Sequence, residues 1–420
     1  MKRSLTALIS AILLLSIALN LSSCATRISA EDMMEGVSPR AVENAPDVSQ
    51  LSAEISDFAL RLYSASGEED GNKAISPISV LFALAMTANG ADKETRAEME
   101  EVFGVSIDSL NLYLYSYMNS LPSAEKYKLS LANSIWVNGN ARFTVNEDFL
   151  QKNADYYGAD IYRAPFDRST LNDINNWIKK ETEGLIPKVL DDIPKDVIMY
   201  LVNALYFDAE WNKIYENTEV RDGDFHKADG SETRAEFMYS DEGGYIENGN
   251  MTGFTKLYKG GKYAFVAMLP NEGTSPEELI ASLSGEELSE LLSKRGGYPV
   301  KAAIPKFEYG YSAELSDALK KMGMPSAFDL YSADFSRLGT LEGADADERN
   351  IVISRVLHKT FISVGEKGTR AGAATVVEML DGAADNIEEP KRVYLDRPFA
   401  FMLIDTKSNI PFFIGTVNEV

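Results

Sequence analysis

Histidine and cysteine are almost missing from this chain. Its 420 residues hold two histidines, His226 and His358, and a single cysteine, Cys24. A hydrolytic relay needs an imidazole beside a nucleophile, and no nucleophile elbow, phosphate loop or dinucleotide fingerprint occurs anywhere, so an enzyme has few raw materials. Zinc requires more ligands than these residues supply. Asp345, Asp347 and Glu348 lack the remainder of a calcium loop, so neither metal nor cofactor is expected. One cysteine excludes a disulfide within the chain. Positive charge is also short: 41 Lys and Arg against 64 Asp and Glu leave a net charge of −23. That balance argues against nucleic acid or an anionic membrane surface as partner, since both require clustered cations. Internal repeats and low-complexity tracts are absent too.

What is present begins with Lys2, Arg3 and an apolar run from Leu5 to Leu21, ending in Leu21-Ser22-Ser23-Cys24. This is a secretory signal over residues 1–23 closing on a lipobox, with Cys24 as the lipidated residue; an ordinary signal-peptidase site beside a chance cysteine is the competing account. Residues 24–50 are polar, contain Pro39 and Pro46, and form a lipidated cysteine and flexible tether. The chain is then anchored outside a bacterial cell, or secreted, and touches membrane only through its lipid.

Residues 51–420 show no linker and are expected to form a single domain. Ile55, Phe58, Ala59 and Leu62 repeat at helical spacing. Ser76-Pro77 puts a capping hydroxyl before a first-turn proline and a mostly buried helix ending at Gly90. Further helices are predicted over 93–103, 172–183 and 276–292. The run from Val197 to Phe207 is apolar on both alternations, as a strand covered on both faces must be. Phe254 to Leu269 reads as strands paired around Gly260-Gly261, and Phe399 to Asp405 with Ile410 to Val417 as a terminal hairpin. His226 lies in a polar turn and reads as solvated, whereas His358 stands inside an apolar strand, where an unpaired imidazole would be costly.

The stretch Glu366-Lys367-Gly368-Thr369-Arg370-Ala371-Gly372-Ala373-Ala374-Thr375 is small-residued and proline-free. Composition alone makes it a flexible surface loop, yet with period two Thr369, Ala371, Ala373 and Thr375 would share one face of a strand. It reads as a loop able to become a strand. With His358-Lys359-Thr360-Phe361-Ile362-Ser363-Val364 before it and Arg397-Pro398-Phe399-Ala400-Phe401-Met402 after it, the stretch resembles the hinge and reactive-centre loop of the serpin family. Collinear matches extend over most of the chain: Asn203-Ala204-Leu205-Tyr206-Phe207 followed by Trp211, Thr182-Glu183-Gly184-Leu185-Ile186, Ile304-Pro305-Lys306-Phe307, Ala333-Asp334-Phe335-Ser336 and Ile414-Gly415-Thr416-Val417.

The resemblance implies an α+β fold in which several helices surround a large central mixed β-sheet and two further sheets, with an exposed reactive-centre loop at about 366–397. It implies a hinge at Glu366, Gly368, Thr369, Arg370, Ala371, Gly372, Ala373, Ala374 and Thr375. A cluster of Ser76, Ser79, Asn203 and His358 would hold the central strands closed yet let them part, with Trp211 under the point of insertion. The activity implied is protease inhibition by a suicide substrate: the loop is cleaved, an acyl-enzyme forms, and the freed segment enters the central sheet with the protease attached. Counting Glu366 as first, the family's usual seventeenth position is Gly382, giving a reactive bond Gly382–Ala383, with Met379, Leu380, Ala384 and Ile387 as alternatives because the loop is several residues longer than usual. No Lys or Arg occurs from Ala371 to Pro390, which points to an elastase-like or chymotrypsin-like serine protease as partner, in a covalent complex with a monomeric inhibitor. A cysteine protease and a non-inhibitory binding module are the other readings. Arg370, where inhibitory serpins usually carry an acid, and Gly372, where alanine is expected, depart from the pattern.

Overall fold

The computed structural model describes residues 28–67, 71–121, 123–124, 127–139, 143–194, 197–341, 351–369 and 389–420. In chain order its first half contains β1 (Glu31–Asp32), α1 (Ser52–Ala65), β2 (Lys73–Ile75), α2 (Pro77–Ala88), α3 (Lys93–Phe103), α4 (Ile107–Ser120), β3 (Ser123–Ala124), β4 (Tyr127–Asn138), β5 (Phe143–Val145), α5 (Glu147–Tyr157), β6 (Asp160–Ala164), α6 (Arg168–Glu181) and β7 (Met199–Glu210). The antiparallel strands β8 (Val220–His226), β9 (Glu232–Glu242), β10 (Gly244–Asn248), β11 (Met251–Leu257) and β12 (Tyr263–Pro270) follow. Then come α7 (Pro276–Ala281), α8 (Gly285–Ser293), β13 (Val300–Pro305), β14 (Phe307–Glu314), α9 (Ser316–Met322), β15 (Gly339–Leu341), β16 (Arg355–Gly365), β17 (Gly368–Thr369), β18 (Lys391–Tyr394), β19 (Phe399–Asp405) and β20 (Pro411–Val417).

The largest sheet is mixed and has eight strands in the order β1-β6-β4-β7-β17-β16-β14, with β3 on β4. A six-stranded sheet, β10-β11-β12-β19-β20-β2, carries the terminal hairpin at its centre, and a four-stranded sheet runs β18-β13-β9-β8. A fourth, two-stranded sheet of β15 and β5 adds to the three sheets expected.

The double apolar alternation of β7 has a direct cause. Leu201, Leu205, Phe207 and Ala209 face the main core, whereas Tyr200 and Val202 face a second core with Trp136, Tyr162 and Trp177. Helix α2 fills the first side, and every one of its residues is buried, as an all-round apolar helix requires. Helix α6 covers the second side with Ile174, Trp177 and Ile178; its first turn is capped by Asp167, whose carboxylate accepts the Ser169 and Thr170 amides.

Three expectations change. The hydroxyl of Ser76 does not cap α2: it makes no side-chain cap bond, and the Ser76 amide is used elsewhere. The single helix over 276–292 is two, each opened by a capping box, Ser275 with Glu278 and Ser284 with Glu287, a spacing that was legible in the sequence. The tether is not free along its length. Residues 28–50 lie against the domain: β1 pairs with the edge strand β6, and Asp173 of α6 accepts from the Ser29 amide at 3.0 Å, the Ser29 hydroxyl at 2.6 Å and the Ala30 amide at 2.9 Å. Ile28 and Ala30 pack on the second core. A polar composition does not prevent docking when one buried carboxylate gathers so many donors.

Asp173→Ala removes this gathering point. Hydrogen exchange at residues 29–34 is expected to accelerate at least about 10-fold and the domain to lose about 2 kcal/mol, the range for bonds to a charged acceptor. Unchanged protection at 29–34 in the variant refutes the docking.

Candidate functional site

β7 and β16 are neighbours for only part of their length. From Arg355 to His358, β16 runs parallel to Tyr200–Asn203 of β7. At the far end β17 enters between the two: Gly368 and Thr369 pair with Gly365 and Val364 on one side and with Glu210 and Ala209 on the other. The sheet is therefore zipped at its foot, wedged at its head and unpaired between. Leu205 and Phe207 line one wall of this gap, Phe361 and Ser363 the other, Thr369 its head, and Ile186 lies over it. Its interior is about 10 Å³, room for roughly one water.

The zip ends on a side-chain pair. His358 Nδ1 lies 2.7 Å from Asn203 Oδ1, and His358 Nε2 accepts the Ser76 amide at 3.0 Å, which fixes the neutral tautomer protonated on Nδ1. Ser79 Oγ stands 3.1 Å from both Asn203 Oδ1 and the Ser76 carbonyl. Thr360 Oγ donates to the Ala74 carbonyl at 2.8 Å, so β16 is tied to the strand leading into α2. Burial pushes the His358 pKa down to about 3. Two buried atoms here, Asn203 Nδ2 and Ser76 Oγ, have no partner among the described residues.

The head is held differently. Trp211, fully buried, donates from Nε1 to the Gly365 carbonyl at 2.8 Å, its amide takes the Lys367 carbonyl at 2.8 Å, and the Tyr215 amide takes that of Glu366 at 2.9 Å. The indole stacks on Tyr258, with ring centres 4.5 Å apart, and the Tyr258 hydroxyl bonds Thr369 Oγ. Gly368 must be glycine, because a Cβ there would meet the Ala209 carbonyl oxygen at 2.0 Å. The Glu366 carboxylate pairs with Lys306, whose ammonium holds it below the ordinary carboxylate range.

The family model for serpins, serine protease inhibitors, matches residues 53–420. The chain belongs to the serpin family. It is similar to the thermophilic serpin tengpin in its native state, with 44% identity and a TM-score of 0.86 over 93% of this chain and 100% of that one. Against tengpin in its latent state the TM-score is 0.76 at 42% identity, over 90% and 99%. It is also similar to an uncharacterised serpin-like protein of Thermococcus kodakarensis, 29% identical over 86% of this chain and 84% of that one. The leukocyte elastase inhibitor of Equus caballus is 28% identical over 87% and 98%.

In this serpin Ser76, Ser79, Asn203 and His358 meet in one cluster at the foot of the gap. Trp211 stands apart from them at the head, with Glu366, Gly368 and Thr369. Arg370, Ala371, Gly372, Ala373, Ala374 and Thr375 of the hinge, the reactive-bond residues Met379, Leu380, Gly382, Ala383, Ala384 and Ile387, the acidic trio at 345–348, and Cys24 lie outside the described residues. His226 ends β8 and contacts Glu232 at 3.1 Å, so it is a strand residue with an acidic neighbour where a solvated turn was expected. Sequence reasoning missed the counter-ion of Glu366, although Lys306 stood in a quoted motif. It also missed Lys256, which is buried against Trp211 and Tyr215 and ion-paired with Glu242 at 2.6 Å. A lysine inside the apolar run of β11 was the available signal.

A histidine held neutral in the fold and free to charge when unfolded makes the unfolded state bind more protons below its ordinary pKa of about 6.5. Stability is therefore lost as pH falls from about 6.5 toward 3. Between pH 7 and 5 His358 is expected to cost about 2 kcal/mol. Denaturant titrations should show that loss, and it should vanish in His358→Gln; a slope that persists in the variant assigns it to other groups.

Proposed function

We propose that this serpin inhibits elastase-like or chymotrypsin-like serine proteases outside the cell, as a suicide substrate whose cleaved loop completes the central sheet. The observation that carries this is the seating of Gly368 and Thr369 in the sheet, directly above the unpaired gap between β7 and β16. Continuing their register, Ala371 comes opposite Phe207 and Ile362, Ala373 opposite Leu205 and Thr360, and Thr375 opposite Asn203 and His358. The residues sent to the core face are small, and the Thr375 hydroxyl arrives beside the unpartnered Asn203 amide. Arg370 comes opposite Asp208, so the base that departs from the family pattern meets a counter-charge on the outer face.

About a dozen new ladder hydrogen bonds at ~1 kcal/mol each give a driving force on the order of 10 kcal/mol. That rivals the stability of a whole domain, so the uncleaved form is kinetically trapped. Lys391 supports a target other than trypsin. It already sits in β18, paired with Val300, with its ammonium over the rings of Tyr245 and Tyr298, which is a strand position unlike the exposed loop a protease must enter. The Equus caballus relative is by name an elastase inhibitor, which supports the proposed class. A non-inhibitory role would sit better with proline or bulk in the hinge, but Ala371 to Thr375 are small and no proline occurs from Glu366 to Glu389. Lipidation of Cys24 places the inhibitor on the outer side of a bacterial membrane.

Mixing the protein with serine and cysteine proteases is expected to yield a denaturant-resistant adduct with an elastase-like or chymotrypsin-like serine protease. Ala373→Pro, which removes a ladder donor, should convert the inhibitor into a substrate. Cleavage of the wild type within the loop should raise the melting temperature by roughly 10–15 °C for a gain on the order of 10 kcal/mol in a domain of this length. No rise after verified single cleavage rules out insertion.

The anchor is checked separately by metabolic lipid labelling, which Cys24→Ala should abolish; label retained in that variant refutes lipidation.

A further inference from the structure

The four-stranded sheet carries a row of side chains that runs against the charge of the whole molecule. Directly opposed residues of neighbouring strands share a face, so Tyr239 of β9, Ala303 of β13 and Tyr394 of β18 form one row, and Asp241, Lys301 and Arg392 the next. Alanine in the middle of the first row leaves room for the two tyrosines to meet across it, edge to face, with ring centres 5.6 Å apart. Arg392 lies 4.2 Å from the Tyr394 ring centre. Arg221 of β8, diagonal to Tyr239, lies 5.1 Å from that ring. Four strands thus build a continuous stack of guanidinium, ring, ring and guanidinium. Both arginines are exposed and both tyrosines half-buried.

Among the described residues neither guanidinium has a carboxylate partner, although the chain carries a net charge of −23. Two further cations of the sheet are answered, Lys301 by Asp241 at 2.6 Å and Arg234 by Asp224 at 2.9 Å, while Lys391 at the start of β18 lies over the rings of Tyr245 and Tyr298. Asp222 and Glu236 oppose each other on the alternate face. Stacking occupies the flat face of a guanidinium but leaves its N–H edge able to grip a carboxylate in two-point fashion. Tyrosine and arginine are also among the side chains most enriched at the energetic centres of interfaces.

We infer that this stack is a docking surface for an acidic patch on the protease that attacks the reactive-centre loop. The inference rests on the proposed inhibitory function and adds the partner's surface charge to it. The chain returns from the loop at Glu389 and Pro390 and enters β18 at Lys391, so Arg392 and Tyr394 lie just past the carboxy-terminal side of the proposed reactive bond. A protease engaged there stands over β18 and its neighbours. A polyanion is the poorer occupant: so small a set of cations, Arg221, Arg392 and the neighbouring Lys391, releases few counterions, and the overall negative charge repels an extended polyanion.

The test compares the full chain with Arg221→Glu/Arg392→Glu, with Arg221→Gln/Arg392→Gln as a milder pair and Arg234→Glu as a paired-arginine control; thermal unfolding confirms that each folds. Association rate constants are measured with elastase-like and chymotrypsin-like proteases of acidic surface at about 20 and about 200 mM salt. The wild-type rate should fall steeply with salt. The charge-reversed variant should be about 10-fold slower at low salt with a flattened salt response, the glutamine pair intermediate, and the control unchanged, while the yield of covalent adduct per cleavage stays the same. Adducts that form at a rate and salt slope unmoved by the double variant overturn this inference and leave the inhibitory function standing. Should no protease form an adduct, the inhibitory function fails. Affinity for the same proteases inactivated at the catalytic serine then decides the surface: a Kd weakened about 10-fold by the double variant supports it, and an unmoved Kd overturns it. Retention on heparin at about 200 mM salt that the double variant abolishes replaces the protease by a polyanion and also overturns it.

Discussion

The hydrogen bond between His358 and Asn203 stands where the direct pairing of β7 and β16 ends, and the state of the central sheet depends on it. Below it the strands form a parallel ladder; above it their facing backbone groups have no partner from each other until β17 arrives. Two strands held apart by a narrow slot are an incomplete sheet, since backbone polar groups left without a ladder are costly. The side chains around the pair keep the sheet in that condition. Asn203 accepts from His358 and Ser79, His358 accepts the Ser76 amide, and Thr360 ties β16 to the strand entering α2. Apart from the His358–Asn203 bond itself, each link joins a central strand to the start of the most buried helix or to the strand entering it, so parting the strands disturbs the core beneath them.

Most of this arrangement could be read from residues. The double alternation of Val197 to Phe207 identified the strand with a core on each face, and the histidine in an apolar strand demanded partners that the serine before α2 and the asparagine of β7 supply. At the start of the predicted hinge a glycine stands where a close approach is needed: Gly368 lies against the Ala209 carbonyl, where no side chain fits. Legibility stopped where an interaction joins residues far apart in sequence with no periodic mark on either. The pairing of Lys306 with Glu366 depends on the register of β14 on β16, and that of Lys256 with Glu242 on how β11 meets β9 of another sheet, which composition does not encode. The stretch before Gln50 misled for a related reason: its own side chains are polar, and the carboxylate that orders it belongs to α6.

The head of the gap constrains the path that loop entry can take. β16, the turn at Glu366-Lys367 and β17 already form a hairpin, whose closure is therefore complete before any cleavage. Trp211 and Tyr215 hold the carbonyls of that turn, and Lys306 holds the Glu366 side chain. On the proposed reading, entry then needs no release at the head. It is a zipper with a fixed pivot, in which each added residue gains ladder bonds to β7 and β16 while costing only its own backbone freedom. The resistance lies at the other end, where the His358–Asn203 pair and the ladder below it must part. A pivot bonded at one end and a lock buried at the other separate the two demands on an inhibitor of this kind: the hinge can be in place from the start, and the rate of accidental insertion is set by residues some way down the sheet from the loop that a protease touches.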